Sequence, residues 1–171
     1  MELKIGEPLS GDYPLERIAP EDLGQFMSLD TYDGNDPYSE GFYENIFAYY
    51  PDNIRVIRDQ TGKLAGLIYV LAMGIETEGN EENPYGEIAS IFVSDSLRGK
   101  GLGEKLLHFG VERLIEKGVP RIQLHTAADN FAMKSLAEKA GFRTAEVIPN
   151  YYESLGKDAL RMELSTPLQP K

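Results

Sequence analysis

Apolar residues recur along the chain with two periods, one typical of strands and one typical of helices. Strands are predicted where apolar and polar residues alternate or form short buried runs, at residues 15–18, 54–59, 64–75, 88–93, 122–126, 142–148 and 160–164. Helices are predicted by apolar residues three and four apart, at about 20–29 and 39–50, from the glycines near position 100 to about Lys117, and at 130–140. This order predicts an α/β (α+β) fold with a mixed central sheet and helices on both faces.

The chain is long enough for one domain and carries nothing that would divide it. It has 171 residues, no internal repeat and no linker rich in proline, glycine or serine. We therefore expect a single domain over residues 1–171, with a core from about 14 to 165 and a frayed tail at 166–171. The segments 31–36 and 76–84 are predicted to be exposed loops.

The composition of the chain excludes some kinds of functional site and disfavours some classes of partner. The chain has no cysteine, which excludes thiolate metal sites, a cysteine nucleophile and disulfides. Its net charge of −11 disfavours nucleic acid and anionic membranes as partners. Its amino terminus lacks the pattern of a signal peptide, and no apolar run approaches the ~20 residues of a membrane helix. We expect a soluble cytoplasmic protein without a metal.

A glycine-rich loop, VSDSLRGKGLG at residues 93–103, joins a predicted buried strand to the longest predicted helix. Such a junction leaves backbone N–H groups unpaired at a helix amino terminus, where an anion is favoured. Arg98 and Lys100 add positive charge to it. The spacing fits neither a P-loop nor the G-x-G-x-x-G dinucleotide motif. Two interpretations remain for the loop alone: a cradle for a polyphosphate, or a flexible turn with solvated basic side chains.

The segment Arg98-x-x-Gly101-x-Gly103 resembles the R/Q-x-x-G-x-G/A signature of the GNAT superfamily of N-acetyltransferases. The resemblance extends from about residue 20 to residue 164. It implies a strand pair that splays apart around acetyl-CoA, whose pyrophosphate the loop would hold, and an Asn130 that contacts the pantetheine arm and opens the last helix. The residues implied to bind acetyl-CoA are Phe92, Val93, Arg98, Gly99, Lys100, Gly101, Leu102, Gly103 and Asn130.

A narrower likeness is to protein amino-terminal acetyltransferases, including the ribosomal-protein type. The segments DPYS at 36–39, NYY at 150–152 and GKDALRM at 156–162 are similar to motifs of that group. By this likeness Tyr38, Tyr151 and Tyr152 would line a peptide entrance. The alternative for these tyrosines is ordinary packing with a solvated hydroxyl.

Acetyl transfer to an amine needs a proton acceptor and a donor to the tetrahedral oxyanion. His125 and Glu87 lie on the two strands expected to splay apart, so we predict that they act as a pair, through water. The resemblance implies a backbone N–H of Phe92 or Val93 for the oxyanion. The tyrosine that serves the family as general acid is replaced by Ala137, so Tyr151 or Tyr152 would substitute, or the thiolate would leave unaided.

The sequence thus predicts an acetyl-CoA-dependent N-acetyltransferase that acts on the α-amino group of a protein or peptide. Two alternatives stay open. One is acetylation of a small amine such as a polyamine, amino sugar or amino acid, which the acidic chain would suit. The other is a non-catalytic module that binds acyl-CoA. The protein is expected to be a monomer or a homodimer.

Overall fold

The computed structural model of the protein describes residues 13–30, 38–74 and 84–167. These ranges contain four α-helices and six β-strands. In chain order they are α1 (Leu23–Asp30), α2 (Glu40–Tyr49), β1 (Ile54–Arg58), β2 (Leu64–Met73), β3 (Tyr85–Val93), α3 (Leu102–Glu116), β4 (Arg121–Ala127), α4 (Phe131–Lys139), β5 (Arg143–Tyr152) and β6 (Lys157–Ser165).

The six strands form one sheet in the order β1-β2-β3-β4-β6-β5. Strands β1, β2 and β3 are antiparallel neighbours, β3 and β4 run parallel, and β4, β6 and β5 are again antiparallel. The single parallel pair is joined through α3, as a crossover between parallel strands requires. The predicted mixed sheet and the predicted hairpin of β1 and β2 are confirmed.

Side chains alternate between the two faces of the sheet, and helices cover both. On β2, Leu67 and Tyr69 pack with Phe26 of α1 and Ile46 of α2, whereas Ile68 and Val70 pack with α3. The buried stripe of α3 is formed by Leu102, Leu106, Leu107, Val111 and Leu114, as its sequence spacing predicts. The helices α1 and α2 therefore lie on one face and α3 on the other.

A buried ion pair fixes the start of α1. Asp22 is 2% exposed and accepts hydrogen bonds from Arg58 and, at 2.9 Å, from the backbone N–H of Ala19. Burial alone would raise the pKa of Asp22, but the hydrogen bonds from Arg58 and Ala19 outweigh it and lower this pKa. Asp22 is thus a buried carboxylate whose charge is fully paired within the fold.

The structure corrects three sequence-based boundaries. The strand predicted at residues 15–18 is a single bridge between Glu16 and Val56. Strand β3 begins at Tyr85 rather than Ile88, because it extends back to pair with Met73 of β2. The tail was expected to fray from residue 166, but Thr166 is buried and its backbone N–H and hydroxyl bond to Pro120 and Val119.

The predicted loop at 31–36, residues 76–83 of the predicted loop at 76–84, and residues 168–171 of the predicted tail lie outside the described residues. Within the described part, no helix is long and apolar enough to cross a bilayer.

We predict that Gly110→Ala, in the middle of α3, destabilises the fold. A methyl group there would lie 2.6 Å from Ile68 Cδ1 and 3.0 Å from Ile88 Cδ1. Overpacking of this kind costs about 1–3 kcal/mol, which exceeds the gain of up to ~1 kcal/mol from replacing a helical glycine. The midpoint of urea unfolding should therefore fall.

The matched control is Gly24→Ala in α1, where a methyl group would contact nothing within 4 Å. This variant keeps the gain in helix propensity without the clash, so its unfolding midpoint should rise or stay unchanged. A shift of the same sign in both variants would contradict the packing assigned to α3.

Candidate active site

Strands β3 and β4 are paired at two positions only, Gly86 with Ile122 and Glu87 with Gln123. Just beyond them β3 contains a bulge: Ile88 pairs with Val70 and Ser90 pairs with Tyr69, which leaves Ala89 as the extra residue. From there the two strands separate, and a cavity of about 110 Å³ lies between them. We call this space the gap; its walls are residues 88–92 of β3 and 124–127 of β4, with Asp30, Asn130, Met133 and Tyr152 around it.

The pleat of the two strands turns three polar side chains to the same face. Gly86 faces α3, since a methyl group on it would lie 2.7 Å from Leu114. Glu87 therefore points to the opposite face, where α1 and α2 lie. On β4, Ile122 and Leu124 pack with α3, which turns Gln123 and His125 to the face of Glu87. Alternation alone brings the predicted pair together.

Glu87 and His125 form a defined contact. Their Oε1 and Nδ1 atoms are 3.0 Å apart, and the other carboxylate oxygen of Glu87 accepts a hydrogen bond of 2.7 Å from Gln123. Both side chains are about four-fifths buried. With Glu87 accepting from Nδ1–H, the Nε2 lone pair of His125 is left to take a proton. Gln123 and Glu87 together fix the imidazole and its tautomer.

Two of the predicted tyrosines adjoin the histidine. The ring of Tyr151 stacks on His125 with 5.1 Å between centroids and 2° between planes, and Tyr152 meets Tyr151 edge to face. Burial, and then the charge of Glu87, raises the pKa of Tyr151, so its phenol stays protonated at neutral pH. Tyr152 lines the gap as well.

These side chains border a cavity of about 500 Å³ on the face of α1 and α2. We call it the tyrosine cavity, because Tyr38, Tyr85, Tyr151 and Tyr152 supply much of its wall. Leu71 and Met73 make it partly apolar, and its ionisable groups other than the phenols are Asp30, Glu87 and His125. The described residues that line it include no lysine or arginine, so the cavity has an acidic character.

The glycine-rich loop leads from β3 into α3 on the other side of the gap. Gly99 and Gly101 both adopt left-handed backbone angles, with φ of 74° and 75°, which a glycine tolerates without strain. Gly101 is the N-cap of α3 and has no side chain to cap the helix. The N–H groups of the first turn of α3 are therefore left for another acceptor.

The loop borders a second cavity of about 500 Å³, which we call the loop cavity. Of the residues predicted to bind acetyl-CoA, eight line it: Phe92, Val93, Arg98, Gly99, Gly101, Leu102, Gly103 and Asn130. Asn130 is also the N-cap of α4, where its side chain accepts a hydrogen bond from the N–H of Met133. The prediction that Asn130 opens the last helix is confirmed.

The two basic residues of the loop have different surroundings. Arg98 donates from Nε to the carbonyl oxygen of Val93 at 3.0 Å and forms an ion pair with Asp95, so it holds the shape of the loop. The ammonium of Lys100 lies 5.5 Å from the ring centroid of Tyr13, and Lys100 is not part of the wall of the loop cavity. Much of the anion-binding capacity therefore lies in the backbone N–H groups.

The backbone of β3 distinguishes the two candidate oxyanion donors. Ser94 donates its N–H to the carbonyl of Ala65 in β2, and the carbonyl of Val93 accepts from Arg98 on the opposite edge. Successive residues of a strand direct their N–H groups to opposite edges. Val93 therefore directs its N–H toward the gap and Phe92 toward β2, which favours Val93 as the donor.

Sequence reasoning missed two polar groups of the site. Gln123 orients Glu87, and Asp30, at the end of α1, lines both the gap and the tyrosine cavity. A signal for Asp30 was present, since it follows Phe26 by four residues and so lies on the buried face of its helix. Within the described ranges, no group of three histidine or acidic side chains converges to hold a metal ion.

Comparisons with known proteins identify a family and several related acetyltransferases. Residues 18–142 match the family described as Acetyltransferase (GNAT) family. The putative [ribosomal protein bS18]-alanine N-acetyltransferase of Bacillus subtilis is 26% identical over 147 residues, which are 83% of this chain and 88% of that protein. Mycothiol acetyltransferase of Corynebacterium aurimucosum is 37% identical over 67 residues, which are 39% of this chain and 22% of that protein.

A solved structure shares the fold across nearly the whole chain. It is described as the NatC complex bound to Gag peptide and CoA, and its matching chain is 21% identical with a TM-score of 0.79. The match covers 92% of this chain and 100% of that chain. The arrangement of strands and helices described above is thus an established one.

We predict that Gly101→Ala weakens binding of coenzyme A about tenfold. The left-handed angle at this N-cap costs an alanine roughly 1–2 kcal/mol, and relaxation of the backbone would turn the loop N–H groups away. Gly118→Ala is the control. Gly118 has the same φ of 75° after α3, where a methyl group would contact nothing within 4 Å.

Both variants should lose similar stability in thermal unfolding, while titration calorimetry with coenzyme A should separate them. Equal affinities in Gly101→Ala and Gly118→Ala would show that the loop does not hold the ligand.

Proposed function

The chain belongs to the GNAT acetyltransferase family, and from this premise we propose that it transfers the acetyl group of acetyl-CoA directly to the α-amino group of a protein or peptide. The observation that carries the proposal is the meeting of two cavities at the gap. A backbone anion site opens from one side, and the pair of His125 and Glu87 stands on the other. The absence of cysteine fits direct transfer, because the chain has no thiol to carry the acetyl group.

The loop cavity fits a long acyl thioester that carries phosphates. Its loop offers unpaired N–H groups at a helix amino terminus, and its other wall is apolar, with Ala132, Met133 and Leu136 of α4. We propose that the N–H groups of residues 99–103 hold the pyrophosphate, that Asn130 contacts the pantetheine arm, and that acetyl-CoA supplies the activated acetyl group. Lys157 and Asp129 also line this cavity, where they form an ion pair of 2.8 Å.

The proposed reaction needs few groups from the protein. His125 accepts a proton from the incoming ammonium at Nε2, directly or through one water, and Glu87 stabilises the imidazolium that results. The freed amine attacks the thioester carbonyl, whose oxygen is stabilised by the N–H of Val93. The C–S bond then breaks while the nitrogen releases its second proton to solvent, which gives a neutral amide and the thiolate of coenzyme A. Tyr152, which lines the gap, donates a proton to that thiolate and regains one from solvent.

The wall of the tyrosine cavity favours a peptide as the acceptor. Tyr38 and Tyr151 are about half exposed at its entrance, where their rings can contact a chain that extends outward. The Bacillus subtilis relative is described as acting on a ribosomal protein, and the structural relative was solved with a peptide. We propose a cytoplasmic location and a monomer or homodimer, as the sequence predicts.

A second candidate is supported by the charge of the cavity. Asp30 and Glu87 would favour a small cationic amine such as a polyamine or amino sugar as much as a peptide terminus. This would be a GNAT enzyme with the same mechanism and a different acceptor.

We predict thiol release from acetyl-CoA with peptides that have a free amino terminus, and little with peptides blocked there but carrying lysine. Because the chain has no cysteine, a thiol reagent reports only released coenzyme A. Activity with a small amine and with none of the peptides would contradict the proposed acceptor and support the second candidate.

We predict that His125→Ala lowers kcat about 10²–10⁴-fold, as expected when a general base is removed, and that Glu87→Gln lowers it less. The control is His108→Ala, the other histidine of the chain, which pairs with Glu112 on α3. It should retain activity within about twofold, because His108 is only partly exposed but lines none of the three cavities described above.

Coenzyme A should bind all three variants with unchanged affinity. Full turnover by His125→Ala would exclude its role as the base. Binding of acetyl-CoA without turnover of any amine by the parent protein would indicate the non-catalytic module.

A further inference from the structure

Asp30 is a buried carboxylate placed where the two substrates would meet. It ends α1, is 7% exposed, and lines both the gap and the tyrosine cavity. The reaction outlined above gives it no part. A carboxylate at the carboxyl end of a helix is also unfavourably placed in the field of the helix dipole. Neither burial nor helix position therefore explains an acidic residue here.

The partners of Asp30 among the described residues carry no positive charge. Tyr43 donates from Oη to Asp30 Oδ2 at 2.6 Å, and Ser90 is the other hydrogen-bonding neighbour. Burial raises the pKa of Asp30, and the hydrogen bonds from Ser90 and Tyr43 offset this only in part. The contrast with Asp22 is direct: Asp22 is also buried, but Arg58 neutralises it.

Tyr69 is a further polar group near Asp30. It faces α1 and α2 beside Ser90, and its buried hydroxyl has the phenol of Tyr38 as a hydrogen-bonding neighbour. Burial, and next the charge of Asp30, raises the pKa of Tyr69, so this phenol stays neutral. Among the described residues, the polar groups around Asp30 are thus hydroxyls, which donate hydrogen bonds but bring no positive charge.

An ammonium group has the chemistry that this position lacks. It brings a positive charge and three N–H donors, and the tyrosine cavity supplies Asp30 and Glu87 as acceptors with no lysine or arginine among its described lining. An anionic ligand group would meet two carboxylates. A neutral one would leave the charge of Asp30 unpaired, at a cost that rises with burial.

We propose that Asp30 is a binding residue for the amine acceptor and accepts a hydrogen bond from its ammonium group. This deepens the proposed function and rests on it. After the ammonium passes one proton to His125, a remaining N–H still bonds to Asp30. The nitrogen is thereby held with its lone pair free for the thioester carbonyl. Asp30 contributes to acceptor affinity and orientation, and His125 with Glu87 to proton removal.

The test compares binding of an ammonium with binding of its neutral counterpart. The peptide probes are the carboxyl-terminal amides of Met-Ala-Ala-Ala, Ser-Ala-Ala-Ala and Ala-Ala-Ala-Ala, each with a free amino terminus and in its N-formyl form. The small-amine probe is n-propylammonium chloride, and N-propylformamide is its neutral counterpart. Each is titrated against the full chain saturated with coenzyme A and followed by NMR. The parent protein should bind at least one free amine tenfold or more tighter than its formyl form, as a charged hydrogen bond implies.

In Asp30→Asn this preference should fall to within about threefold, because the amide keeps the acceptor for Tyr43 and removes the charge. Two controls separate charge from structure. Asp22→Asn should lose stability and keep the preference. Tyr43→Phe should also keep it, since Asp30 retains its charge there. In turnover, Asp30→Asn should raise KM for the amine more than it lowers kcat.

The proposal is overturned if the parent binds amine and formyl forms alike, if Asp30→Asn keeps the preference, or if Asp22→Asn loses it to the same extent. A preference for n-propylammonium alone, lost in Asp30→Asn, would support the role of Asp30 and count against the peptide acceptor. The two proposals can therefore fail separately.

Discussion

Strands β3 and β4 are hydrogen-bonded at two residue pairs before they part, and each of the three cavities borders on that separation. A parallel pair in the middle of a sheet is normally paired along its length, so the interruption leaves backbone groups of both strands without a ladder partner. Buried groups of that kind cost about 1–3 kcal/mol each unless a ligand or water satisfies them. The bulge at Ala89 lies where the pairing of β3 with β4 ends. Beyond it, β3 remains paired with β2 and β4 with β6, so both strands stay fixed in the sheet.

The two sides of the gap also differ in electrostatic character. On one side, the glycine-rich loop and the first turn of α3 present N–H groups to an anion. On the other, Asp30 and Glu87 stand in a cavity whose described lining has no lysine or arginine. The net charge of −11 agrees with the acidic side, whereas the loop is a local exception that depends on backbone dipoles more than on side-chain charge. Substrates of opposite charge would thus approach the gap from opposite sides, which fits a phosphorylated acetyl donor and a cationic acceptor.

Local patterns in the sequence predicted the parts of the site that depend on local geometry. The loop, the stripe of α3 and the opening of α4 by Asn130 each follow from residues close in the chain. The contact of Glu87 with His125 followed from the pleat and from the expected splay. The contacts that could not be predicted from the sequence join residues of different elements. Examples are the hydrogen bond between Asp30 and Tyr43 and the contact of Gln123 with Glu87. The predicted first strand failed for the same reason, because a strand needs a partner of sufficient length, and the described chain offers it one bridge.

Ala137 replaces the tyrosine that the family resemblance implies as general acid. This replacement indicates which of the two proton transfers makes the larger demand on the protein. Ala137 is completely buried against the core, so no hydroxyl reaches the gap from that turn of α4. A thiol has a pKa of about 8.5 and leaves without much help, so the larger demand is to deprotonate the acceptor. A peptide α-amine, with a pKa of about 7.7–8.0, is roughly one-tenth or more neutral at pH 7, whereas a lysine side chain, with a pKa of about 10.4, is neutral in fewer than one molecule in a thousand. A site whose base is one imidazole is therefore better suited to an α-amino group than to lysine.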